Sequence, residues 1–270
     1  MTFTKMHSLG NDYVYIDLFN NKLSFKEQIS RLSQVLSNRN YGVGSDGIIL
    51  ISKSDKADFK FQIYNSDGSE ASMCGNGIRC AGAYVYRKGL TKKTNISFET
   101  KSGIRKVRLI FQNNKIDSVT ADLGEPAINL RRVNVDNQFI FTPVYVGNTH
   151  GVTVVKSVDN IDVNALGEVI EKKIPNSNLE FIELMDSNNI KMRVYERGSK
   201  ETLACGTGAA ASVVYTYLSG LTGRKVNVKL LGGELEVNYS SEDNHVYISS
   251  PVEEVFNGEM DDRKVLKLVK

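Results

Sequence analysis

Short stretches in which polar and apolar residues alternate recur along most of the chain. Such alternation is typical of strands with one buried face, and it predicts strands at 60–64, 106–110 and 191–195. The continuous apolar run at 48–51 predicts a fully buried strand. These patterns together predict a sheet-rich protein with few helices.

Three other segments have helical patterns. Ser24 and Glu27 form a capping box ahead of apolar residues at helical spacing, which predicts a helix over 25–37. The segments 77–86 and 208–217 are rich in small residues and apolar nearly all round. Each of them ends shortly before a glycine, a residue that commonly follows the end of a helix. We expect these two helices to lie inside the protein.

The two small-residue segments belong to an internal repeat. One alignment of the chain with itself places Cys74 on Cys205, and it is here called the cysteine shift. It also pairs Tyr64 with Tyr195, Glu70 with Glu201, Gly75 with Gly206 and Gly77 with Gly208. A looser match with a slightly larger offset, here called the asparagine shift, pairs Gly10-Asn11 with Gly147-Asn148. A repeat this long predicts two similar halves related by a pseudo-two-fold axis. The expected division gives residues 1–115 to the N-terminal half, with 259–270 returning to it, and 116–258 to the C-terminal half.

In both halves a cysteine followed by Gly-x-Gly opens the helical segment. Each thiol is therefore expected at a helix N-terminus, where unpaired N–H groups and the helix dipole lower a thiol's pKa and bind anions. Pseudo-symmetry is expected to bring the two helix ends together across the cleft between the halves. Cys74 and Cys205 would then face one anion-binding pocket from opposite sides.

Inversion of a carbon that carries hydrogen needs this arrangement. One thiolate removes the proton from one face of the substrate, and one thiol delivers a proton to the opposite face. The helix N-termini hold the substrate carboxylate and stabilise the charge that develops on it. No cofactor is needed in principle, and no Schiff-base lysine motif is visible. The residues predict a cofactor-independent racemase or epimerase with Cys74 and Cys205 as its acid and base.

Composition excludes several other classes of protein. The 270 residues carry a net charge of +3 with the basic residues scattered, which gives no support to nucleic-acid binding. No apolar run approaches the roughly 18 residues that span a bilayer, and the first residues lack the apolar core of a signal peptide. Three cysteines and three isolated histidines match neither a disulfide framework nor a zinc motif. We expect a cytoplasmic protein that acts on a small molecule and involves no metal, membrane or nucleic acid.

Five motifs closely resemble the signatures of the diaminopimelate epimerase family: Lys5-Met-His-Ser-Leu-Gly-Asn-Asp12, Tyr64-Asn-Ser-Asp-Gly-Ser-Glu70, Met73-Cys74-Gly75-Asn76-Gly77-Ile78-Arg79-Cys80, Tyr195-Glu196-Arg197-Gly198 and Thr202-Leu203-Ala204-Cys205-Gly206-Thr207-Gly208. The resemblance extends from residue 1 to the segment around Gly258. It implies an α/β (α+β) fold of two domains, each a curved mixed β-sheet wrapped round a central helix, with the active site in the cleft between them. It also implies cofactor-independent interconversion of LL- and meso-2,6-diaminopimelate in lysine and peptidoglycan precursor biosynthesis. We expect the active form to be a homodimer.

Carried over residue by residue, the resemblance makes Cys74 and Cys205 the acid–base pair, with His150 and Glu196 as catalytic support. The residues that would contact the substrate are Asn11, Asn65, Gly75, Asn76, Asn148, Asn178, Glu196, Arg197, Gly206 and Thr207. A guanidinium suits a carboxylate and a carboxylate suits an ammonium, so Arg197 and Glu196 fit the distal amino-acid end of the substrate. Lys200 stands where the family usually has glycine, and it would add a cation near Cys205.

Less specific interpretations of the same residues stay open. Cys80 lies within a predicted helix and Ala211 stands at the matching position, so we interpret Cys80 as a buried hydrophobic residue. His150 is as consistent with a structural histidine as with a catalytic one. The alternative functions are a racemase for another amino acid and a redox or ligand-binding protein that uses the two thiols as a reversible disulfide. The pair Glu196-Arg197 favours a substrate with a second zwitterionic end.

Overall fold

A computed structural model describes residues 1–21, 28–128, 132–135, 138–261 and 263 of the chain. The chain divides into two compact units. The first comprises Met1–Ala121 together with the described part of Pro251–Lys270, and the second comprises Asp122–Ser250.

These boundaries differ from the predicted division of the chain. The predicted break after residue 115 falls inside the strand Lys115–Asp122, and the predicted return at 259 falls at the end of the strand Glu253–Glu259. That last strand pairs along its length with the N-terminal strand Thr2–Ser8. Because backbone pairing keeps each of these strands whole, the C-terminal segment rejoins the first unit at Pro251.

The described residues contain four helices and nineteen strands. The helices are α1 Ile29–Ser37, α2 Gly75–Arg87, α3 Val163–Glu171 and α4 Gly206–Leu218. The strands up to the unit boundary are β1 Thr2–Ser8, β2 Asn11–Asp17, β3 Gly47–Ser52, β4 Phe59–Asn65, β5 Glu70–Ala71, β6 Asn95–Thr100, β7 Gly103–Gln112 and β8 Lys115–Asp122. The remaining strands are β9 Ala127–Ile128, β10 Val133–Val135, β11 Phe139–Tyr145, β12 Thr149–Val154, β13 Asn178–Leu184, β14 Asn189–Glu196, β15 Lys200–Glu201, β16 Lys225–Leu230, β17 Gly233–Tyr239, β18 Val246–Ser250 and β19 Glu253–Glu259. None of the helices in this described part of the chain is both long enough and apolar enough to cross a membrane.

The strands predicted from alternation are confirmed. The segments 60–64, 106–110 and 191–195 lie in β4, β7 and β14, and each shows the expected alternation of buried and more exposed side chains. The apolar run 48–51 lies in β3, where all four of its residues are buried.

The first unit is a mixed sheet around helix α2. Strand β1 pairs antiparallel with β2 and β19, and β2 runs parallel to β3. Strand β3 pairs antiparallel with β4, which runs parallel to β6, and β6, β7 and β8 continue as antiparallel neighbours. Helix α2 contacts β1, β2 and β7, and it is buried from Gly75 to Val85. The helix therefore forms the centre of this unit's core.

The second unit repeats this architecture around helix α4. Its parallel pairs, β12 with β13 and β14 with β16, correspond to β2 with β3 and β4 with β6. Helix α4 contacts six strands, β11, β12, β13, β16, β17 and β18, so the sheet wraps round it. Each unit is thus a mixed β-sheet with a central helix, as the resemblance implied.

The strand register reproduces both shifts of the sequence repeat. Tyr13 on β2 pairs with Gly47 on β3, and His150 on β12 pairs with Asn178 on β13. The asparagine shift aligns Tyr13 with His150, and the cysteine shift aligns Gly47 with Asn178. The asparagine shift therefore aligns β2 with β12, and the cysteine shift aligns their partner strands β3 and β13. The two units can be compared position by position.

The ends of the central helices also match the prediction. Gly89 and Gly220 follow α2 and α4 with φ angles of +70° and +72°, values that favour glycine. Their N–H groups donate to the carbonyl oxygens of Tyr86 and Tyr217 at 3.0 and 2.9 Å. These bonds satisfy carbonyl groups that a helix end leaves without an intrahelical partner.

The two peripheral helices were less well predicted. The described part of α1 begins at Ile29, and the predicted capping residues Ser24 and Glu27 lie outside the described residues. Helix α3 was not predicted, because only three of its nine residues are buried and its apolar stripe is correspondingly narrow. Its N-cap residue is Asp162, whose side chain accepts the N–H of Ala165 at 3.0 Å.

Gly167 of α3 provides a test of how closely this helix packs. A Cβ added at Gly167 would lie 2.1 Å from Cδ2 of the buried Tyr195 ring on β14. We expect Gly167→Ala to lower the free energy of unfolding by about 1–3 kcal/mol through overpacking, despite the higher helix propensity of alanine. Thermal unfolding followed by circular dichroism would measure the change.

Gly223→Ala is the matched control, because a Cβ there meets its nearest neighbour, Asn188, at an ordinary 3.6 Å. Its thermal midpoint should stay close to that of the unaltered protein. Equal midpoints for the two variants would contradict the close packing of α3 on Tyr195.

Candidate active site

Cys74 is the N-cap residue of α2. Its backbone is extended, and its sulfur accepts the N–H of Gly77 at 3.4 Å. The thiol is half-buried and donates to Oδ1 of Asn11 at 3.3 Å. The first N–H groups of a helix have no intrahelical acceptor. The sulfur therefore lies beside a group of donors suited to an anion.

Asn11 is held in place by charged residues behind it. Its Nδ2 donates to Oδ2 of Asp46 at 2.8 Å, and Asp46 is paired with Arg39 at 2.9 Å. Burial, followed by the charge of Asp12, raises the pKa of Asp46. Because the amide nitrogen is bonded to Asp46, the amide oxygen of Asn11 is left to face the Cys74 thiol.

Tyr13 belongs to the group of side chains around Cys74, and the sequence analysis did not predict it. It lies on the same face of β2 as Asn11, is 5% exposed, and places its hydroxyl within hydrogen-bonding reach of Asn11 and Cys74. Burial, followed by the charge of Cys74, raises the pKa of Tyr13 well above its ordinary value. The available signal was the asparagine shift, which aligns Tyr13 with His150.

A buried guanidinium lies beneath the same helix start. Arg79 is fully buried and donates to Gly75 O at 3.1 Å, to Asn76 Oδ1 at 2.7 Å and to Ser8 Oγ at 3.0 Å. Burial lowers the pKa of Arg79 to about 10, so it stays charged at neutral pH. The side chain of Asn76 thus braces Arg79, and the predicted contact of Gly75 and Asn76 with substrate would be made by the backbone.

Asn65, the last predicted binding residue of the first unit, lies at the end of β4. Its Nδ2 donates to Oγ of Ser69 at 3.0 Å, within the turn that leads to β5. This contact holds the turn and leaves the amide half-buried.

Cys205 occupies the same position in the second unit. It is the N-cap residue of α4, and its sulfur accepts the N–H of Gly208 at 3.4 Å. The sulfur also lies 3.5 Å from Oγ1 of Thr207. Cys205 is only 5% exposed, so it is more deeply buried than Cys74. Gly206 and Thr207 supply the first N–H groups of this helix.

The lowered thiol pKa expected from the helix start is not found at Cys205, because burial and nearby carboxylates favour its thiol form. Burial, followed by the charges of Glu196 and Glu180, raises the pKa of Cys205 well above its ordinary value.

Burial also raises the pKa of the third thiol, Cys80, to about 12. Ala211 stands at the repeat position of Cys80, and this buried thiol fits the interpretation as a hydrophobic residue.

His150 forms a buried hydrogen-bonded chain next to Cys205. Its Nδ1 lies 2.7 Å from Oε1 of Glu180, and its Nε2 lies 2.7 Å from Oδ1 of Asn148. His150 and Glu180 are both fully buried, whereas Asn148 is exposed. The chain therefore leads from the interior of the unit to its surface.

Glu180 was missed by the sequence analysis. It lies on β13 between Leu179 and Phe181, in a segment whose apolar residues predict a buried strand. A carboxylate in such a place is costly unless it is paired. The cysteine shift could have indicated Glu180, because it aligns this carboxylate with the apolar Ile49.

The same three side chains offer a donor set for a metal ion. One ligand atom each from His150, Glu180 and Cys205 lies within 4.8 Å of the other two. Imidazole, carboxylate and thiolate are the ligands that zinc takes in proteins. In the described residues, however, His150 and Glu180 are already bonded to each other, and an ion would have to replace that bond.

The remaining predicted residues lie around the end of β14. Thr202 donates its hydroxyl to Glu196, and burial raises the pKa of the Glu196 carboxyl. Asn178 accepts the backbone N–H of Arg197 at 3.0 Å. The Arg197 guanidinium is exposed and donates to Asn176 at 3.3 Å, which leaves most of its donors available.

Lys200 is directed towards helix α3. Its Nζ lies 2.7 Å from Oε1 of Glu168, and both side chains are more than half exposed. Its backbone has a φ of +60°, in the left-handed region that favours the glycine usual in the resembling family. The cation expected near Cys205 is therefore engaged with Glu168.

Comparison with known proteins identifies the family of this chain. The sequence profile of the family described as Diaminopimelate epimerase matches residues 3–128 and 142–254. The chain belongs to this family. It is 44% identical to a diaminopimelate epimerase from Methanococcus maripaludis, over 97% of this chain and 100% of the relative. A diaminopimelate epimerase from Bacteroides thetaiotaomicron is 42% identical, over 96% of this chain and 97% of the relative.

Solved structures show that the diaminopimelate epimerase family shares its fold with more distant proteins. A phenazine biosynthesis protein of the PhzF family from Bacillus anthracis has a TM-score of 0.73 at 17% identity, covering 96% of this chain and 99% of that one. A hydroxyproline epimerase from Agrobacterium vitis, solved with trans-4-hydroxy-L-proline bound, has a TM-score of 0.72 at 14% identity, covering 96% and 90%. At these identities the likeness concerns the fold.

The carboxylate beside Cys205 leads to a test of thiol reactivity. Glu196→Gln removes a negative charge that raises the pKa of Cys205, so more thiolate should be present at any given pH. We expect iodoacetamide to alkylate Cys205 several-fold faster in this variant, since the thiolate is the reactive form. Peptide mass spectrometry under mildly alkaline conditions would follow each cysteine separately.

Glu168→Gln, a change at an exposed position on the same unit, should leave the alkylation rate of Cys205 unaltered. Cys80 should stay unmodified in all three folded proteins and serves as an internal control. A slower reaction of Cys205 in Glu196→Gln would contradict the assigned electrostatic effect.

Proposed function

We propose that the protein interconverts LL- and meso-2,6-diaminopimelate with two thiols and no cofactor. The observation that carries the proposal is the matched placement of Cys74 and Cys205, each with its sulfur bonded to the third N–H of a buried central helix. Relatives of 40–44% identity over nearly the whole chain are named diaminopimelate epimerase. Such an enzyme would serve lysine and peptidoglycan precursor biosynthesis.

In this mechanism the two cysteines have reciprocal roles. One thiolate removes the α-proton of the substrate, and the thiol of the other cysteine protonates the opposite face of the resulting planar carbanion. The mechanism requires the two sulfurs to reach opposite faces of the same carbon. In the reverse direction the roles of Cys74 and Cys205 exchange.

The helix starts would stabilise the developing charge. Backbone N–H groups at Gly75 and Asn76, and at Gly206 and Thr207, would hold the reacting carboxylate, whose negative charge grows as the proton leaves. The helix dipoles favour the same anion. Asn11 lies next to Cys74 in the first unit, and Asn148 lies next to His150 in the second. Both amides would orient the reacting end of the substrate.

The second amino-acid end of the substrate requires its own contacts. The exposed guanidinium of Arg197 suits the distal carboxylate, and the carboxylate of Glu196 suits an ammonium group. Asn178 bonds to the backbone of Arg197 and supports its position. Asn65 would add a further amide contact. A racemase for a monocarboxylic amino acid has no use for this arrangement, which favours diaminopimelate.

A cytoplasmic location and a homodimeric active form are also part of the proposal. All three cysteines are free thiols, which fits a reducing compartment. Size-exclusion chromatography with light scattering would test the oligomeric state.

Single-cysteine variants test the assignment of the two thiols. Cys74→Ser and Cys205→Ser should each lower the epimerisation rate by about 100-fold or more, because inversion needs both groups and serine is a poor base at neutral pH. Each variant should retain slow α-hydrogen exchange in deuterated water, from one diastereomer only and opposite for the two variants. Mass spectrometry and chiral chromatography would follow both reactions.

Cys80→Ser is the matched control, since its thiol is buried away from the helix start and should contribute only packing. Its epimerisation rate should be close to that of the unaltered protein. Near-normal epimerisation by Cys74→Ser or Cys205→Ser would rule out the two-thiol mechanism.

Removal of metals and pyridoxal phosphate tests the absence of a cofactor. Protein treated with a chelator and with hydroxylamine, then desalted, should epimerise diaminopimelate at an unchanged rate, because thiols and helix N–H groups supply all the chemistry required. A loss of activity restored by zinc would instead assign the cluster of His150, Glu180 and Cys205 to a metal.

A further inference from the structure

Different buried groups lie beneath the starts of the two central helices. In the first unit the guanidinium of Arg79 lies under the first turn of α2. In the second unit a Cβ added at Gly208 would meet Oε1 of Glu180 at 2.6 Å. The matching Cβ at Gly77 would meet Cδ1 of Ile49, a hydrocarbon, at 2.8 Å. A buried cation thus lies at one helix start and a buried acidic side chain at the other.

Packing does not account for Arg79. The cysteine shift aligns it with Ala210 of α4. Helices α2 and α4 both have 13 residues and begin at a cysteine that caps the third N–H group. The repeated architecture is therefore built with a methyl group at this position. Arg79 is fully buried, and a guanidinium is costly to remove from water. A charge that is retained in such a place points to a chemical role.

One hydrogen bond connects Arg79 to the peptide group that would hold the substrate. Its Nη1 donates to the carbonyl oxygen of Gly75 at 3.1 Å. That carbonyl shares a peptide group with the N–H of Asn76, one of the N–H groups proposed above to hold the reacting carboxylate. A cation bonded to the oxygen of a peptide group polarises it and makes its N–H a stronger donor. The charge of Arg79 therefore reaches the helix start through a defined group.

Two more hydrogen bonds fix the direction of the guanidinium. Its Nη2 donates to Oδ1 of Asn76 at 2.7 Å and to Oγ of Ser8 at 3.0 Å. Ser8 in turn donates to the carbonyl oxygen of Pro251 at 3.1 Å, which ties the arrangement to the end of β1. Each bond that Arg79 makes here goes to an uncharged atom, so the guanidinium keeps its positive charge while its position is fixed.

We propose that Arg79 is a positioning residue that acts through the Gly75–Asn76 peptide group and makes the start of α2 the stronger anion site of the two helix starts. The inference rests on the proposed function and deepens it, because the anion is the reacting carboxylate of the substrate. The negative charge on that carboxylate grows as the α-proton leaves, and a fixed buried cation stabilises the charge as it develops. At the start of α4, Ala210 supplies no such cation.

The test compares two alkylating reagents at the same thiol. Iodoacetate and iodoacetamide both form a carbon–sulfur bond with the thiolate and release iodide, but iodoacetate carries a carboxylate. Their rate ratio at one cysteine is independent of the thiolate fraction, so it measures how strongly the surroundings attract an anion. In the unaltered protein we expect a ratio about fivefold or more higher at Cys74 than at Cys205. Peptide mass spectrometry would follow each cysteine separately.

Substitution of Arg79 should change this ratio at one cysteine only. Arg79→Met removes the charge, and we expect the ratio to fall about fivefold or more at Cys74 and to stay within about twofold at Cys205. Arg79→Lys keeps the charge and should hold the ratio at Cys74 within about twofold of that of the unaltered protein. Arg87→Met is the matched control, because Arg87 is exposed at the far end of the same helix, and it should alter neither ratio.

Asn76→Asp tests the inference with Arg79 in place, and it decides the matter if Arg79→Met does not fold. The new carboxylate stands where Oδ1 already accepts from Arg79 at 2.7 Å, so an ion pair forms in the existing geometry and cancels the positive charge. An acidic side chain in the first turn of a helix is itself favourable. The thermal midpoint should therefore not fall, while the ratio at Cys74 should fall as in Arg79→Met.

Turnover of diaminopimelate gives an independent measurement. Because the cation acts chiefly on charge that develops as the proton leaves, Arg79→Met should lower kcat about tenfold with a smaller change in KM. Arg87→Met should leave both constants unaltered.

The outcomes are distinct. A ratio at Cys74 that neither Arg79→Met nor Asn76→Asp lowers would overturn the inference, as would equal ratios at Cys74 and Cys205 in the unaltered protein. Equal falls at both cysteines would show a general structural effect and would also overturn it. The alkylation rates require no diaminopimelate, so an unaltered protein that fails to epimerise this substrate would contradict the proposed function alone.

Discussion

The hydrogen bond from a helix N–H group to a cysteine sulfur governs the organisation of both units. It fixes each thiol at the first turn of a helix, and that helix forms the centre of the core around which the strands are arranged. Because the helix is buried almost throughout, its start cannot shift without disturbing the packing of the whole unit. A reactive group is thereby placed on a rigid element.

The duplicated scaffold supports unequal electrostatics in its two copies. Cys74 lies near the buried cation Arg79, whereas burial, followed by the charges of Glu196 and Glu180, raises the pKa of Cys205. A two-thiol epimerase needs one thiolate and one thiol at the same moment. Two identical surroundings would give neither cysteine a preference for the thiolate form. Under the proposed two-thiol mechanism, the difference in charge would decide which cysteine holds the proton.

The sequence was sufficient to predict the features that repeat or alternate. Matching cysteines and glycines predicted α2 and α4, and alternation predicted strands such as β4 and β14. Helix α3 was missed because only three of its residues are buried. The buried positions of Arg79 and Glu180 were missed because charged side chains normally indicate exposed positions, and only three-dimensional packing places them in the interior. Pairing of charges across distant segments leaves no trace in local periodicity.

The contact between Gly208 and Glu180 restricts how this sequence can change over evolutionary time. In the first unit, a methyl group at Gly77 would press on the tip of Ile49, a flexible end that can rotate aside. In the second, the same substitution would press on a carboxylate oxygen that His150 holds. A side chain at position 208 would therefore require a smaller residue at position 180. The second unit therefore tolerates a side chain at this helix position less readily than the first unit does.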